Sequence, residues 1–302
     1  MRGRFAPSPT GALHLGNLRT ALVSWLQARS GGGEWLVRME DLDRVTSSRH
    51  HEAEQLRDLA ALGMVPDGEV VRQSERFDLY RQAIAALRAI DRVYDCFCSR
   101  REIREAAQAP HGELPDGAYP GTCRTLTATV RSQYLAEGRR PALRLRTEGE
   151  RFEVHDLIAG RFEGGVDDVV LQRNDGVPAY NLAVVIDDAA QDVTDVVRGD
   201  DLLSSTPRQM LLQQLLGLPH PRHAHVPLVL APDGTRLAKR HGAVTLGDLA
   251  QRNITPAQVV ARLGESLGLC GRDDVVTAHD LLVSFRIEAV PTAPWWLATT
   301  DL

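Results

Sequence analysis

The stretch Gly234-Thr235-Arg236-Leu237-Ala238-Lys239-Arg240 holds the only lysine of a chain that has 34 arginines. A bias toward arginine throughout the chain explains the imbalance. It leaves open whether the surviving lysine is chance or need. Chemistry supplies a need: an ammonium is a compact, mobile point charge that can follow a phosphate as charge moves, whereas a guanidinium is a rigid planar fork. A lysine in a Gly-containing loop suits phosphate chemistry, with Lys239 as its cation.

Other candidates stand where strands are expected to end. Arg4-Phe5-Ala6 reads as a short strand that runs into the turn-rich Pro7-Ser8-Pro9-Thr10-Gly11. His14, Gly16 and Asn17 open a helix whose apolar positions Leu18, Leu22, Trp25 and Leu26 recur with helical spacing. Such a helix start offers unpaired N–H groups and a positive dipole end to phosphate. Glu34 to Glu40 reads as a buried strand that delivers the acidic cluster Glu40-Asp41-Leu42-Asp43, and Val193 to Val197 as one that delivers Arg198. Charged groups at strand C-termini border the ligand crevice of an open α/β sheet, although Asp41 and Asp43 read equally well as the start of a solvated loop.

Cysteine chemistry forms a separate group. Cys96, Cys98 and Cys123 fall in one loop-rich segment, and Cys270 lies apart. Three clustered thiols in a segment rich in Pro and Gly suggest a structural Zn²⁺ site that needs a fourth ligand. By ligand chemistry His111 is the better fourth ligand and Tyr119 the unusual one, since a phenol must lose a proton to bind well. Three unrelated buried thiols are the plain alternative.

The elements that must position these residues alternate between strands and helices, the pattern of an α/β fold. Helices are expected over His51–Leu62, after Ser74 as a cap, over Pro207–Leu216 and from Thr255-Pro256, with Val259, Val260, Leu263 and Leu267 inward. The apolar run Ala179–Asp188 fits a buried strand or a buried helix, and periodicity does not decide. Val226–Leu230 reads as a strand leading to the lysine loop. Trp295-Trp296-Leu297 reads as docked core. No apolar run approaches the roughly 18 residues of a membrane span. No secretory h-region follows the first residues, and a cytoplasmic protein is expected. The net charge of −5 argues mildly against nucleic acid as a partner, which would have to meet local arginine patches.

Taken together, Phe5-Ala6-Pro7-Ser8-Pro9-Thr10-Gly11-Ala12-Leu13-His14-Leu15-Gly16-Asn17 resembles the signature of class I aminoacyl-tRNA synthetases of the glutamyl type. His14-Leu15-Gly16-Asn17 stands at their His-Ile-Gly-His motif, and Arg236-Leu237-Ala238-Lys239-Arg240 at Lys-Met-Ser-Lys-Ser. Val37–Asp43, Gln73–Asp78, Tyr180–Ala183 and Arg198–Leu202 also match, so the resemblance spans about residues 1–245. Only residues 240–302 follow Lys239, which resembles the truncated paralogues of that class rather than forms with a long anticodon-reading region.

The resemblance implies a Rossmann-like parallel sheet in two halves, 1–95 and 176–245. Between them it implies an inserted zinc-containing α/β subdomain, 96–175, and after them a short helical C-terminal region, 246–302. It implies ATP-dependent activation of L-glutamate without tRNA and transfer of the glutamyl group to queuosine at the wobble position of tRNA(Asp). Lys239 and His14 would be catalytic. Arg4, Phe5, Ala6, Pro7, Ser8, Glu40, Tyr180 and Arg198 would hold glutamate. His14, Gly16, Asn17 and Lys239 would hold ATP, which carries Mg²⁺. A single structural Zn²⁺ would take Cys96, Cys98, Cys123 and, by the family pattern, Tyr119 rather than His111. The expected state is a monomer with no membrane partner. Arg236 and Ala238 depart from the usual Lys and Ser of the lysine motif. The alternatives are a small glutamyl-tRNA synthetase charging a tRNA 3′ end, a small-molecule nucleotidyltransferase, or an RNA-binding pseudo-synthetase.

Overall fold

A computed structural model describes residues 1–99, 101–103, 118–231, 233–235 and 244–297. The chain opens with β1 (Arg2–Phe5), α1 (Leu15–Ser30) and β2 (Glu34–Met39), in which β2 runs parallel to β1 with Arg4 beside Leu36. Helix α1 is buried almost all round, from Leu15 through Ala28. Gly3 makes the close approach to β1 possible: a Cβ there would lie 3.1 Å from that of Ala28. Next come α2 (Arg49–Ala61), β3 (Val71–Arg72), α3 (Phe77–Ala89) and β4 (Val93–Cys96). They are followed by α4 (Ala128–Ala136), β5 (Ala142–Leu145), β6 (Arg151–Asp156), β7 (Gly160–Gly165) and β8 (Val170–Gln172). The second half adds α5 (Tyr180–Ala190), β9 (Asp195–Gly199), α6 (Thr206–Leu216), β10 (Arg222–Val226) and β11 (Val229–Leu230). It closes with α7 (Leu246–Gln251), α8 (Pro256–Glu265) and β12 (Trp295–Trp296).

The main sheet has the order β3-β2-β1-β9-β10-β6-β7 and is parallel except for the last strand. From β1 the chain moves outward to β2 and β3, then returns to lay β9 on the other side of β1. The strand order therefore reverses between β1 and β9, and the crevice at such a switch point is where α/β sheets bind ligands. Arg4 and Phe5 end β1 there, and Arg198 and Gly199 end β9. A second, antiparallel sheet, β4-β5-β8, carries Cys96 at the end of its edge strand.

Among the described residues, two of three apolar clusters hold the layers of the main sheet, and the third surrounds Cys96 and Tyr119. One joins α1 and β2 to the C-terminal residues Leu249, Val259, Leu263, Phe285 and Leu297; the other joins α3, α5 and α6 through Tyr80, Leu87, Leu182 and Leu212. Arg19 ties α1 to the end of α8 through Ser266 Oγ (3.0 Å) and to Pro227 O (2.9 Å). Strand β12 lies parallel to β11, with Trp295 N–H donating to Leu228 O (3.1 Å) and Leu297 N–H to Leu230 O (2.9 Å).

Several expectations change. The run Ala179–Asp188, open between strand and helix, is helical from Tyr180 on (α5), with Ala179 as its N-cap. Helix α3 starts at Phe77 with no side-chain cap; Ser74 instead gives its N–H and Oγ–H to Asp41 (2.8 and 2.6 Å). Val226–Leu230 is not one strand, because Pro227 has no N–H and separates β10 from β11. The hairpin β6–β7, read from the sequence as part of the insert, extends the main sheet. Trp296 is 55% exposed, so only Leu297 of the expected docked trio is fully buried.

Candidate active site

The first turn of α1 is built by its own side chains. His14 Nδ1 accepts the Asn17 N–H (3.3 Å) and Asn17 Oδ1 accepts the His14 N–H (3.2 Å), a reciprocal cap. A Cβ at Gly16 would sit 2.9 Å from His14 Cε1, so glycine is what lets the imidazole fold over the helix start. Before the helix, Gln55 from α2 donates to Ser8 O (3.0 Å) and Gly11 O (2.7 Å) and holds the Pro7–Gly11 loop open. Glu40 is placed by its own N–H, which donates to Pro7 O (2.9 Å).

These parts enclose a cleft of about 630 Å³ at the switch point. It brings together Arg4, Phe5, Ala6, Pro7, Ser8, His14, Gly16, Asn17, Glu40, Tyr180 and Arg198. Lys239, Arg236, Ala238 and His111 lie outside the described residues. Asp41 is taken up by Ser74, and Asp43 turns back on the N–H of Val45 (3.1 Å), so both serve the loop as local staples.

The two arginines differ in their electrostatics. Arg4 is already engaged by both oxygens of Asp188 (3.1 and 3.2 Å), and Arg38 NH1 reaches the same carboxylate at 2.7 Å. Burial alone would raise Asp188, but Arg38 and Arg4 outweigh it and hold it at about 2. Arg198 is equally buried, yet among the described residues no carboxylate lies within ion-pair distance. Its fork meets neutral acceptors: Gln209 Oε1 (2.8 Å), Thr206 Oγ1 (2.9 Å), His225 Nε2 (3.0 Å), Leu202 O (3.3 Å) and Tyr180 Oη (3.5 Å). Burial lowers its pKa, the mark of a cation short of a counter-charge. Glu40 is the converse. Burial pushes it up, and Arg38, 3.5 Å away, pulls it back only in part. The cleft thus holds one under-neutralised cation and one under-solvated carboxylate, a pairing suited to a ligand with both charges.

The second site lies on the smaller sheet. The Sγ atoms of Cys96, Cys98 and Cys123 lie within 4.8 Å of one another. Tyr119 Oη is 3.3 Å from Cys96 Sγ and 3.5 Å from Cys98 Sγ, and it accepts the Cys123 N–H at 2.9 Å. The cluster shares protons: the hydrogen bond from Cys96 holds Cys123 down to about 7, and the same bond pushes Cys96 up to about 12. Arg144 stacks over the Tyr119 ring at 3.7 Å. Three thiols and a phenol oxygen at these separations form a donor set that fits a tetrahedral zinc.

Asp188 and Gln55 were not singled out from the sequence as site residues. Asp188 was legible only as an acid closing an apolar run; Gln55 left no signal.

A parallel sheet whose strand order reverses at the β1/β9 cleft, floored by a capped helix start, is the α/β architecture of a class I synthetase. The chain belongs to the class I tRNA synthetases (E and Q), whose catalytic-domain family model matches residues 1–302. Within that family it is similar to the Glutamyl-Q tRNA(Asp) synthetase of Nocardia farcinica, 56% identical over 99% of this chain and 94% of the relative. It is also similar to that of Symbiobacterium thermophilum, 48% identical over 97% of this chain and 94% of the relative. Among solved structures, a glutamate tRNA ligase from Elizabethkingia meningosepticum in complex with its amino acid superposes with a TM-score of 0.84 at 27% identity, over all of this chain and 68% of that one.

Proposed function

We propose that this chain activates glutamate with ATP, without tRNA, and passes the glutamyl group to queuosine at the wobble position of tRNA(Asp). The observation that carries the reading is the charge pattern of the cleft, in which Arg198 lacks a counter-charge beside the buried Glu40. Glutamate supplies what each needs. A carboxylate of the substrate would displace the two longest bonds of Arg198, those to Tyr180 and Leu202, and Tyr180 would turn its hydroxyl hydrogen toward the substrate. The α-ammonium would meet Glu40. Arg4, whose Nε and Nη2 Asp188 holds, would turn Nη1 to the second carboxylate from the end of the neighbouring parallel strand β1.

The chemistry needs positioning and charge stabilisation rather than a nucleophilic side chain. A glutamate α-carboxylate oxygen attacks the α-phosphorus of ATP, and the bond to pyrophosphate breaks. His14, Gly16 and Asn17 offer the helix start to the phosphates, and Lys239 balances the charge that grows on the leaving pyrophosphate. In the second step a hydroxyl of the queuosine cyclopentene-diol attacks the acyl carbon, and AMP leaves. Zinc held by Cys96, Cys98, Cys123 and Tyr119 would brace the small sheet β4-β5-β8 and supply no reacting group. Magnesium accompanies ATP as substrate.

The test is incubation with ATP, radiolabelled glutamate and tRNA(Asp) with or without queuosine. Label that requires queuosine and survives removal of the 3′-terminal nucleotide is expected. Label lost with that nucleotide would mean ordinary charging. No label and no glutamate-dependent pyrophosphate exchange would leave a binding protein.

A further inference from the structure

Behind Arg198, on the side away from the cleft, three adjacent strands line up three buried side chains. Arg198 on β9 pairs in register with His225 on β10, and β10 pairs with β6 where Asp156 stands. Arg198 Nε lies 3.0 Å from His225 Nε2, and His225 Nδ1 lies 2.5 Å from Asp156 Oδ2. The three residues are 5%, 0% and 7% exposed. The protons in this row follow from chemistry. A guanidinium Nε always carries hydrogen and can only donate, so His225 Nε2 must present its lone pair. Nδ1 then carries the imidazole proton and donates to Asp156. The other oxygen of Asp156 accepts three backbone N–H groups, from His225 (3.0 Å), Ile158 (3.0 Å) and Ala159 (2.8 Å), so the carboxylate is fixed in place. Around the imidazole stand Thr206 Oγ1 at 3.5 Å and the parallel ring of His223 at 6.0 Å.

We infer that Asp156 and His225 are positioning residues for the substrate carboxylate: they lock one imidazole tautomer, and that tautomer aims and holds the Arg198 guanidinium in the cleft. Neither residue lines the cleft, so the row acts on the substrate only through Arg198. The inference rests on the reading of Arg198 as a glutamate ligand. It adds that the hairpin β6–β7 takes part in amino-acid binding, since Asp156 ends its first strand.

Asp156→Asn separates this role from mere packing. The variant is isosteric and keeps the oxygen that accepts the three backbone N–H groups. Its amide, however, presents N–H to His225 Nδ1. The imidazole must then carry its proton on Nε2, where it opposes the N–H of Arg198. Steady-state glutamate-dependent pyrophosphate exchange should show the KM for glutamate raised about ten-fold or more, the size of one lost charge-assisted hydrogen bond, with the KM for ATP within two-fold of the parent. His225→Gln, which offers an amide oxygen to Arg198 and has no tautomer, should keep a near-parental KM for glutamate. In that background Asp156→Asn should add less than two-fold, while His225→Leu alone should repeat the full loss. An Asp156→Asn protein whose KM for glutamate stays within two-fold would overturn the inference. So would one in which the KM values for glutamate and ATP rise together, or a His225→Gln protein as impaired as His225→Leu. Absence of glutamate-dependent exchange in the parent chain would overturn the functional reading and this inference with it; exchange in the parent with an indifferent Asp156→Asn overturns the inference alone.

Discussion

Lys239 and Glu40 carry the sharpest single-residue consequences. If Lys239 balances charge on the leaving pyrophosphate, Lys239→Ala should slow glutamate-dependent pyrophosphate exchange by roughly 10²–10³, as loss of a preorganised donor does. Lys239→Arg should recover little of it, because a planar fork does not replace a point charge; full activity in the arginine variant would make the lone lysine an accident of composition. Glu40 predicts a pH limb. Its carboxylate is raised above the ordinary 4.5 by burial. Only the charged form binds an ammonium, so the KM for glutamate should climb as pH falls through that raised value. Glu40→Gln should start with a high KM and lose the limb. A parent profile that stays flat on the acid side would remove Glu40 from substrate binding. At this scale much was readable in advance, because Arg4, His14, Glu40, Tyr180 and Arg198 each belong to a local run of recognisable chemistry. The residues behind them were not. Asp188 reaches Arg4 and Asp156 reaches His225 only after folding joins distant strands, and no local spacing marks such pairs.

Strand β10 is the element with the most to say about stability. It buries His223 and His225 side by side, 6% and 0% exposed. Burial pushes His223 down to about 3 from 6.5 and lowers His225 as well. His223 stays neutral in the fold down to about pH 3, while the unfolded chain takes up its proton below about pH 6.5. The unfolded state therefore binds more protons in acid, so stability is complete above pH 6.5 and falls as pH drops from there toward 3. The slope is about 1.4 kcal/mol per pH unit for His223. Urea unfolding of the parent at pH 6.5 and pH 5 should differ by about 2 kcal/mol more than in His223→Gln. Equal pH dependence in the two proteins would place the acid sensitivity elsewhere. The strand also shows why element boundaries resist reading from sequence. Its alternating His223-Ala224-His225-Val226 gives no apolar run, and the run that does stand out, Val226–Leu230, straddles the break at Pro227. Helix α5 is ambiguous for the opposite reason: Leu182-Ala183-Val184-Val185-Ile186 is an unbroken apolar run, short enough for a buried strand, and it packs against α3 and α6. Ser74 looked like a helix cap because it precedes an apolar pattern, but Asp41 claims its hydroxyl first.

Across the molecule the two sites are housed separately, the cleft on the parallel sheet and the thiol cluster on the sheet β4-β5-β8. If Cys96, Cys98, Cys123 and Tyr119 hold zinc as proposed, chelation should release three reactive thiols and speed amide exchange in β4, β5 and β8. Glutamate-dependent pyrophosphate exchange should stay within a few-fold. Loss of that activity in step with the metal would show that the two sheets are not independent. The broad architecture follows from the alternation of strands and helices, which is local. The membership of β6–β7 in the main sheet does not, since a hairpin pairs with whichever edge lies open to it. The foot of the lysine loop offers a final consequence. Strand β12 lies along β11 and sets the half-exposed ring of Trp296 against Gly234, whose Cβ position would be 3.7 Å from the indole. Trp25 and Trp35 are buried, at 4% and 0% exposure, and the half-buried Trp295 beside Trp296 gives a background that is the same in Trp296→Phe. The chain thus carries its own optical reporter: a change in emission or iodide quenching on adding ATP, absent in Trp296→Phe, would record nucleotide arrival without any attached dye.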